Sequence, residues 1–167
     1  VVDHGLRKNS SDEANLVKRN AIKIGFKCKI LKWEGAKPSS GIQEAARKAR
    51  YNLMLSWCEK NNIKKLFLAH HLDDQVETFL MRLSKGSGVD GLTSMSKNTI
   101  ISNLNLIRPF LEISKNRLIE IANSSRLEWV TDPSNLNLSY QRSRMRKLMP
   151  SLSKEGIDSH HISLVIK

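Results

Sequence analysis

The chain has 167 residues, 40% hydrophobic and 26% charged, and these fractions are typical of one globular domain with a buried core. It has no run of about 18 apolar residues, which argues against a membrane-spanning helix, so we expect no membrane partner. Lysine and arginine total 28 against 16 acidic residues. The net charge of +12 favours a polyanionic partner such as nucleic acid, although lysines that only keep the chain soluble would give the same balance.

The first half of the chain alternates short strands with helices. Residues 1–5 predict the end of a strand running into a turn, and Ser10 or Ser11 is expected to cap a helix that ends at Gly25. A strand is predicted over 28–33. A long helix capped by Ser40 follows it.

The second half continues the alternation and becomes more helical. The apolar run Leu66–Ala69 predicts a buried strand, and the next helix should close at the glycines of 86–88. An extended segment over 107–111, a helix from Ser114, a turn at 132–135, a basic helix and a helical tail from 151 complete the chain. This order predicts an α/β fold with a doubly wound, mainly parallel sheet and helices on both faces.

The segment His70-His71-Leu72-Asp73-Asp74-Gln75-Val76-Glu77-Thr78 is the most informative part of the chain. It lies where a predicted strand ends and a predicted helix begins, which is where open α/β sheets bind ligands. Two alternatives use the same residues. Asp74 and Glu77 have the spacing of a capping box with an aspartate cap, and histidine with aspartate can hold a divalent metal. Adjacent histidines on an extended segment point to opposite faces, so a Mg²⁺ that arrives with a nucleotide fits better than a metal held by protein groups alone.

The same segment closely resembles the signature of the tRNA(Ile)-lysidine synthetase family, within the PP-loop ATP pyrophosphatase superfamily. The resemblance continues in order through most of the chain. The further matching segments are Val2–Arg7, Gly41–Tyr51, Arg82–Met95 with its LxxGSGxxGLxxM pattern, Leu106–Ile113, 129–135 and 142–150.

The family's nucleotide loop, Ser-Gly-Gly-x-Asp-Ser, is absent from these 167 residues. It should lie upstream, because the chain begins at Val1 rather than at a methionine. The resemblance therefore implies a partial PP-loop domain over residues 1–150, with no ATP loop in this chain, followed by the start of a helical linker over 151–167. The 167-residue chain alone is expected to be inactive.

The resemblance also implies a reaction and its participants. ATP, with Mg²⁺, would adenylate the C2 oxygen of the wobble cytidine in the CAU anticodon of tRNA(Ile), and the ε-amine of free L-lysine would then displace AMP. Asp74, His70 and Arg50 are the implied catalytic residues, and Asp74 with Glu77 would bind the lysine cation. His71 and Asp73 are second choices, and no protein-held metal is expected.

Arginines 142, 144 and 146 are expected to contact tRNA phosphates, unless they are only the solvated face of a linker helix. Cys28 and Cys58 form no CxxC pair, so a reducing cytoplasmic location is expected, and the cluster-bearing type of tRNA thiolase is disfavoured. Another PP-loop tRNA-modifying enzyme and a tRNA-binding remnant without catalysis remain alternatives. The sequence leaves a homodimer open.

Overall fold

A computed structural model describes residues 1–125, 127–130 and 137–166, so the turn expected at 132–135 lies outside the described residues. Within them the chain forms twelve helices and strands. In chain order these are β1 (Val2–Asp3), α1 (Ser10–Lys23), β2 (Leu31–Lys32), α2 (Ile42–Lys60), β3 (Lys65–Phe67), α3 (Leu72–Leu83), α4 (Val89–Leu92), β4 (Asn98–Ile101), β5 (Leu104–Ile107), α5 (Lys115–Ser124), α6 (Gln141–Lys154) and α7 (Ser159–Ile166).

The chain divides into two units. The first comprises Val1–Lys64 with Ser124–Val130, and the second comprises Lys65–Asn123 with the described part of 131–167. In the first unit β1 and β2 pair in parallel, with Val2 opposite Leu31. In the second unit the strand order is β3-β5-β4, with β3 parallel and β4 antiparallel to β5. The predicted alternation of strands and helices is confirmed, and β4 makes the second sheet mixed.

Asp3 organises the start of the first unit. Its carboxylate accepts hydrogen bonds from the Gly5 N–H at 3.0 Å and from the Ser11 hydroxyl at 2.7 Å, and Gly5 has a φ of 60°. The bond from Ser11 is the main reason that the pKa of Asp3 is below its usual value. The predicted cap was wrong, because Asn9 is the N-cap residue of α1 and Ser11 is committed to Asp3.

Three further predictions differ from the structure. The strand predicted over 28–33 is only Leu31–Lys32, and α2 is preceded by Gly41 rather than capped by Ser40. The strand predicted as buried is β3, whose Phe67 is 63% exposed because β3 pairs with β5 alone among the described strands. The hairpin of β4 and β5 was missed. Its two-residue turn begins at Ser102 with a φ of 54°, instead of the Asn-Gly or Asp-Gly pair that usually marks such a turn.

The core of the second unit holds α3 in place. Val76, Phe79 and Leu80 of α3 are buried with Ile162 of α7, and α6 packs Met145, Met149 and Leu152 against them. Burying a side chain of this size contributes about 1.5–3 kcal/mol. Gly86 follows the last turn of α3 with a φ of 71° and donates its N–H to the Leu83 carbonyl, as the predicted C-terminal role requires, whereas Gly88 is the N-cap residue of α4.

The expected boundary after residue 150 falls inside α6, which contains Pro150 within its helical span, and this boundary stays a prediction. The expected helical tail is present as α7, and its Ile162 is part of the core of the second unit. Among the described residues, no helix combines the length and apolar character needed to cross a bilayer.

Candidate functional site

Two contacts fix the start of α3 at the ends of β3 and β5. His71, which follows β3 by four residues, forms a parallel bridge with Phe110, which follows β5 by three. The Leu72 N–H then donates to the Ile113 carbonyl at 3.0 Å. Because β3 and β5 are parallel, both segments emerge at one edge of the sheet, and the side chains of the first turn of α3 are presented there.

Asp74 caps α3 from within its first turn. Its Oδ2 accepts the backbone N–H of His71 at 3.1 Å, and the His71 Nε2 lies 3.5 Å from the same oxygen. The predicted capping box was therefore misplaced. His71 is the N-cap and Asp74 is its partner three residues later, since α3 begins at Leu72. Oδ1 of Asp74 is 3.9 Å from Arg142 Nη1, and within the described ranges this distant group is the only partner of that oxygen.

Asp73 has a structural partner of its own. Its Oδ2 accepts the backbone N–H of Lys115 at 2.8 Å, and this bond ties the start of α3 to the start of α5. His71 Nδ1 lies 3.6 Å from the same oxygen. The Asp73 side chain is 40% exposed, against 16% for Asp74. These contacts explain Asp73 through folding alone and leave Asp74 as the more enclosed acid.

Glu77 lies one turn after Asp74 and is 2% exposed. Arg146 of α6 approaches Oε1 through both Nε and Nη2 at 2.7 Å, the short distances of a charge-assisted bond. The other oxygen, Oε2, is 3.3 Å from Arg142 Nε but accepts no hydrogen bond from the part of the chain that the structure describes. Burial raises the pKa of Glu77, against the opposing effect of Arg146 and Arg142.

Arg142 spans the acidic residues on α3. Besides its approaches to Asp74 and Glu77, its Nη2 donates to the Thr78 hydroxyl at 3.3 Å. Asp74 and Glu77 thus face two guanidinium groups, and the four charges balance. Sequence reasoning missed this pairing, although a spacing of four on one helix places Arg142 and Arg146 on the same face.

Arg144 behaves differently from its two neighbours. It is exposed and donates to the backbone carbonyls of Leu138 and Ser139, at 2.9 and 2.8 Å. The three arginines predicted to contact tRNA therefore divide into an exposed one and two that face the acids. That all three contact RNA stays a prediction.

Of the remaining predicted residues, His70 is half-buried between β3 and the N-cap of α3. Arg50 belongs to the first unit, on α2, with its guanidinium 5.9 Å from the Tyr51 ring. Burial, followed by the positive charge of Arg50, lowers the pKa of His4. The second unit thus brings together the residues His71, Asp73, Asp74, Glu77, Arg142 and Arg146.

The donor set does not form a metal cage. Within 1–125, 127–130 and 137–166, no three histidine, cysteine, aspartate or glutamate side chains are grouped closely enough to hold an ion. One or two carboxylates suffice for a Mg²⁺ that keeps its waters and a nucleotide phosphate.

Curated relatives of this chain include two tRNA(Ile)-lysidine synthases that match nearly all of it. A tRNA(Ile)-lysidine synthase of Wolbachia sp. subsp. Brugia malayi is 42% identical over 165 residues, which are 98% of this chain and 38% of the relative. One from Rhodopseudomonas palustris is 44% identical over 162 residues, covering 97% of this chain and 47% of the relative. The chain therefore spans less than half the length of these relatives.

A solved structure shows the same fold. The U34-tRNA thiolase NcsA from Methanococcus maripaludis, with its [4Fe-4S] cluster, superimposes with a TM-score of 0.79 over 99% of this chain and 58% of its own, at 16% sequence identity. The likeness confirms the predicted α/β fold. The sequence profile of the PP-loop domain family matches residues 1–152, most of the chain, and this chain accordingly belongs to the PP-loop domain family.

Proposed function

We propose that this chain is part of an enzyme that converts the wobble cytidine of tRNA(Ile), in a CAU anticodon, to lysidine. The name shared by relatives of about 40% identity supports this proposal. The observation that carries it is the position of Asp74, a largely enclosed carboxylate at the edge of the sheet where such folds bind ligands. Oδ2 of Asp74 accepts the backbone N–H of His71, and Oδ1 is left for a ligand. A carboxylate there suits a cationic substrate such as free L-lysine.

The reaction requires a neutral amine at the moment of attack. Asp74 would receive the lysine ε-ammonium at Oδ1 and take one of its protons, because only the neutral nitrogen is nucleophilic. The nitrogen then forms a bond to C2 of the cytidine, the C2–O bond breaks, and AMP leaves with that oxygen. ATP, as the co-substrate, supplies the adenylyl group that makes this oxygen a leaving group.

Glu77 would act with Asp74 in binding lysine. A cation that reaches Oε2 must displace or move beside Arg142 Nε, which lies 3.3 Å from this oxygen. Arg146 is bonded to the other oxygen and can stay in place. We therefore assign first contact with lysine to Asp74, and to Glu77 a second contact that forms when Arg142 shifts.

The other assignments follow the family resemblance. His70 would contact the cytidine, and Arg50 would neutralise phosphate charge as the adenylate forms. Mg²⁺ would accompany ATP, the location would be cytoplasmic, and a homodimer would be compatible with the role. His71, which is hydrogen-bonded through its backbone to Asp74, would shape the site.

The direct test is incorporation of radiolabelled L-lysine into tRNA(Ile) by the 167-residue chain and by a longer protein that includes it. We expect ATP-dependent incorporation by the longer protein and none by the 167-residue chain, which spans less than half of its relatives. A tRNA with a CAU anticodon that reads methionine is the matched control substrate.

Tight tRNA binding by the longer protein without lysine incorporation would refute the enzyme proposal and favour a binding remnant. Incorporation of sulfur in place of lysine would favour the other PP-loop alternative. Lysine transfer by the 167-residue chain itself would show that it contains everything the reaction needs.

The exposed basic residue Arg144 gives a separate prediction about RNA binding. We expect Arg144→Ala to weaken tRNA binding most at low salt and to reduce the salt dependence by about one phosphate contact. Arg117→Ala is the matched control, because Arg117 is equally an exposed helical arginine but pairs with Glu120 on α5. The measurement is the slope of log Kd against log salt. Equal slopes for the two variants would place the RNA elsewhere.

A further inference from the structure

We infer that a cavity in the second unit, separate from the acidic site, binds the phosphate of a nucleotide through Arg108. The cavity has a volume of about 600 Å³, which is within the range of small-molecule sites. It is open to solvent on one side and is lined by the start of α3, the segment before β4, the segment after β5, and α7. Neither Asp74 nor Glu77 lines it, so the inference does not rest on the proposed function.

Arg108 is the group that points to a ligand. It follows β5 directly and is only 8% exposed, although it lines the cavity. Its Nη1 donates to the Ser96 carbonyl at 2.8 Å and to the Thr99 hydroxyl at 2.9 Å. Its Nε is buried without a hydrogen-bond partner, and Nη2 has none among the described residues.

The charge of Arg108 is also uncompensated. Arg142 and Arg146 face carboxylates, whereas Arg108 forms no ion pair with any described residue. A buried charge normally has a partner, because removing it from water without one is costly. Nε is buried away from the cavity, whereas Nη2 is not among the buried unpartnered atoms and is the donor that a ligand in the cavity can reach. A charge-assisted bond from Nη2 to an oxyanion would supply the missing negative charge.

The other residues that line the cavity indicate which kind of molecule carries the oxyanion. Six of the fourteen lining residues are apolar, namely Leu72, Met95, Pro109, Leu111, Leu164 and Ile166. Lys97 and His160 add basic groups to the lining, against one acid, Glu112. A cavity of this size has room for more than a phosphate, and its apolar wall suits a flat ring. A nucleotide, with a phosphate and a planar base, meets both requirements.

A binding titration tests the site without ATP, lysine or tRNA. Cytidine 5′-monophosphate is added to the isotope-labelled chain, and amide signals of Met95, Leu111 and Ser163 are followed by NMR. We expect saturable shifts at these residues, and binding of uncharged cytidine weaker by about tenfold or more, the value of a charged hydrogen-bonding partner.

Two variants on adjacent residues provide the matched control. Leu164 lines the cavity and is 56% exposed, while Val165 does not line it and is 69% exposed. Leu164→Trp should fill the mouth of the cavity and weaken nucleotide binding at least tenfold, whereas Val165→Trp should leave it within about twofold. Arg108→Gln should remove the preference for the nucleotide over the nucleoside. If Arg108→Gln fails to fold, comparison of Leu164→Trp with Val165→Trp still tests whether the nucleotide binds in this cavity.

Each outcome is informative. Equal affinity for nucleotide and nucleoside, absence of shifts, or equal effects of Leu164→Trp and Val165→Trp would overturn the inference. A short single-stranded RNA that competes with the nucleotide identifies the site as an RNA contact, and an RNA that does not compete identifies it as a free-nucleotide site. Asp74→Asn should leave the titration unchanged, so failure here is distinct from failure of the proposed lysine reaction.

Discussion

Replacing Asp74 by asparagine should reduce lysine transfer by about a hundredfold or more, because an amide cannot take the proton that the attacking amine must lose. The change preserves shape, and an amide oxygen can still accept the backbone N–H of His71, so α3 should remain capped. The measurement is kcat/KM for lysine in a longer protein that contains this chain, with tRNA affinity measured in parallel and expected to be unchanged.

The control for this variant is Asp73→Asn. Asp73 is the neighbouring acid, and its backbone partner is Lys115 in place of His71. We expect its effect on lysine transfer to stay below about tenfold, since it lies outside the Asp74, Glu77 and Arg142 contacts and general base catalysis is not assigned to it. Unchanged lysine kinetics for Asp74→Asn, with intact tRNA binding, would reduce Asp74 to a capping residue.

Replacing Leu106 by alanine should lower the free energy of unfolding by about 3 kcal/mol, because it leaves a cavity in the core. Leu106 is 0% exposed and lies at the centre of β5, opposite Leu66 of β3 and Thr99 of β4. Urea denaturation of the 167-residue chain provides the measurement. A loss of this size would also destabilise the pairing of β3 with β5, and the start of α3 is held at the ends of these two strands.

Ile100→Ala is the matched control on the same sheet. Ile100 of β4 is 76% exposed, so its truncation removes little buried surface and should cost less than about 1 kcal/mol. Similar losses for the two variants would mean that β5 is not the centre of a packed core.

The sequence predicted the parts of this fold that depend on local patterns. The helical spacing of apolar residues located α3, and a glycine after the last turn marked its end. The strand that precedes α3 was found as well, but its burial was wrong. A continuous apolar run does not reveal whether a strand has a neighbour on both sides, and β3 pairs with β5 alone among the described strands.

The sequence predicted the acidic residues of the candidate site, but it did not predict the arginines that neutralise them. Asp74 and Glu77 stood out because two acids and two histidines follow a strand. Their partners lie 65 to 69 residues later in the chain, and no local pattern connects them. The positive charge of Arg142 and Arg146 suggested RNA, since a helix with several arginines looks the same in sequence whether its partner is a phosphate or a buried carboxylate.

Pro150 lies inside the continuous helix α6 and interrupts its backbone hydrogen bonding. A proline has no N–H to donate, so the carbonyl of Arg146, four residues earlier, lacks its usual helical partner at this point. The turns before it present Arg142 and Arg146 to the acids of α3 and also pack Met145 and Met149 on the core, while the turn after it adds Leu152 to the same core. Both parts of α6 are therefore anchored despite the missing bond. Withdrawal of Arg142 from Glu77 then needs only rotation about the bonds of its own side chain, over a helix backbone that stays fixed.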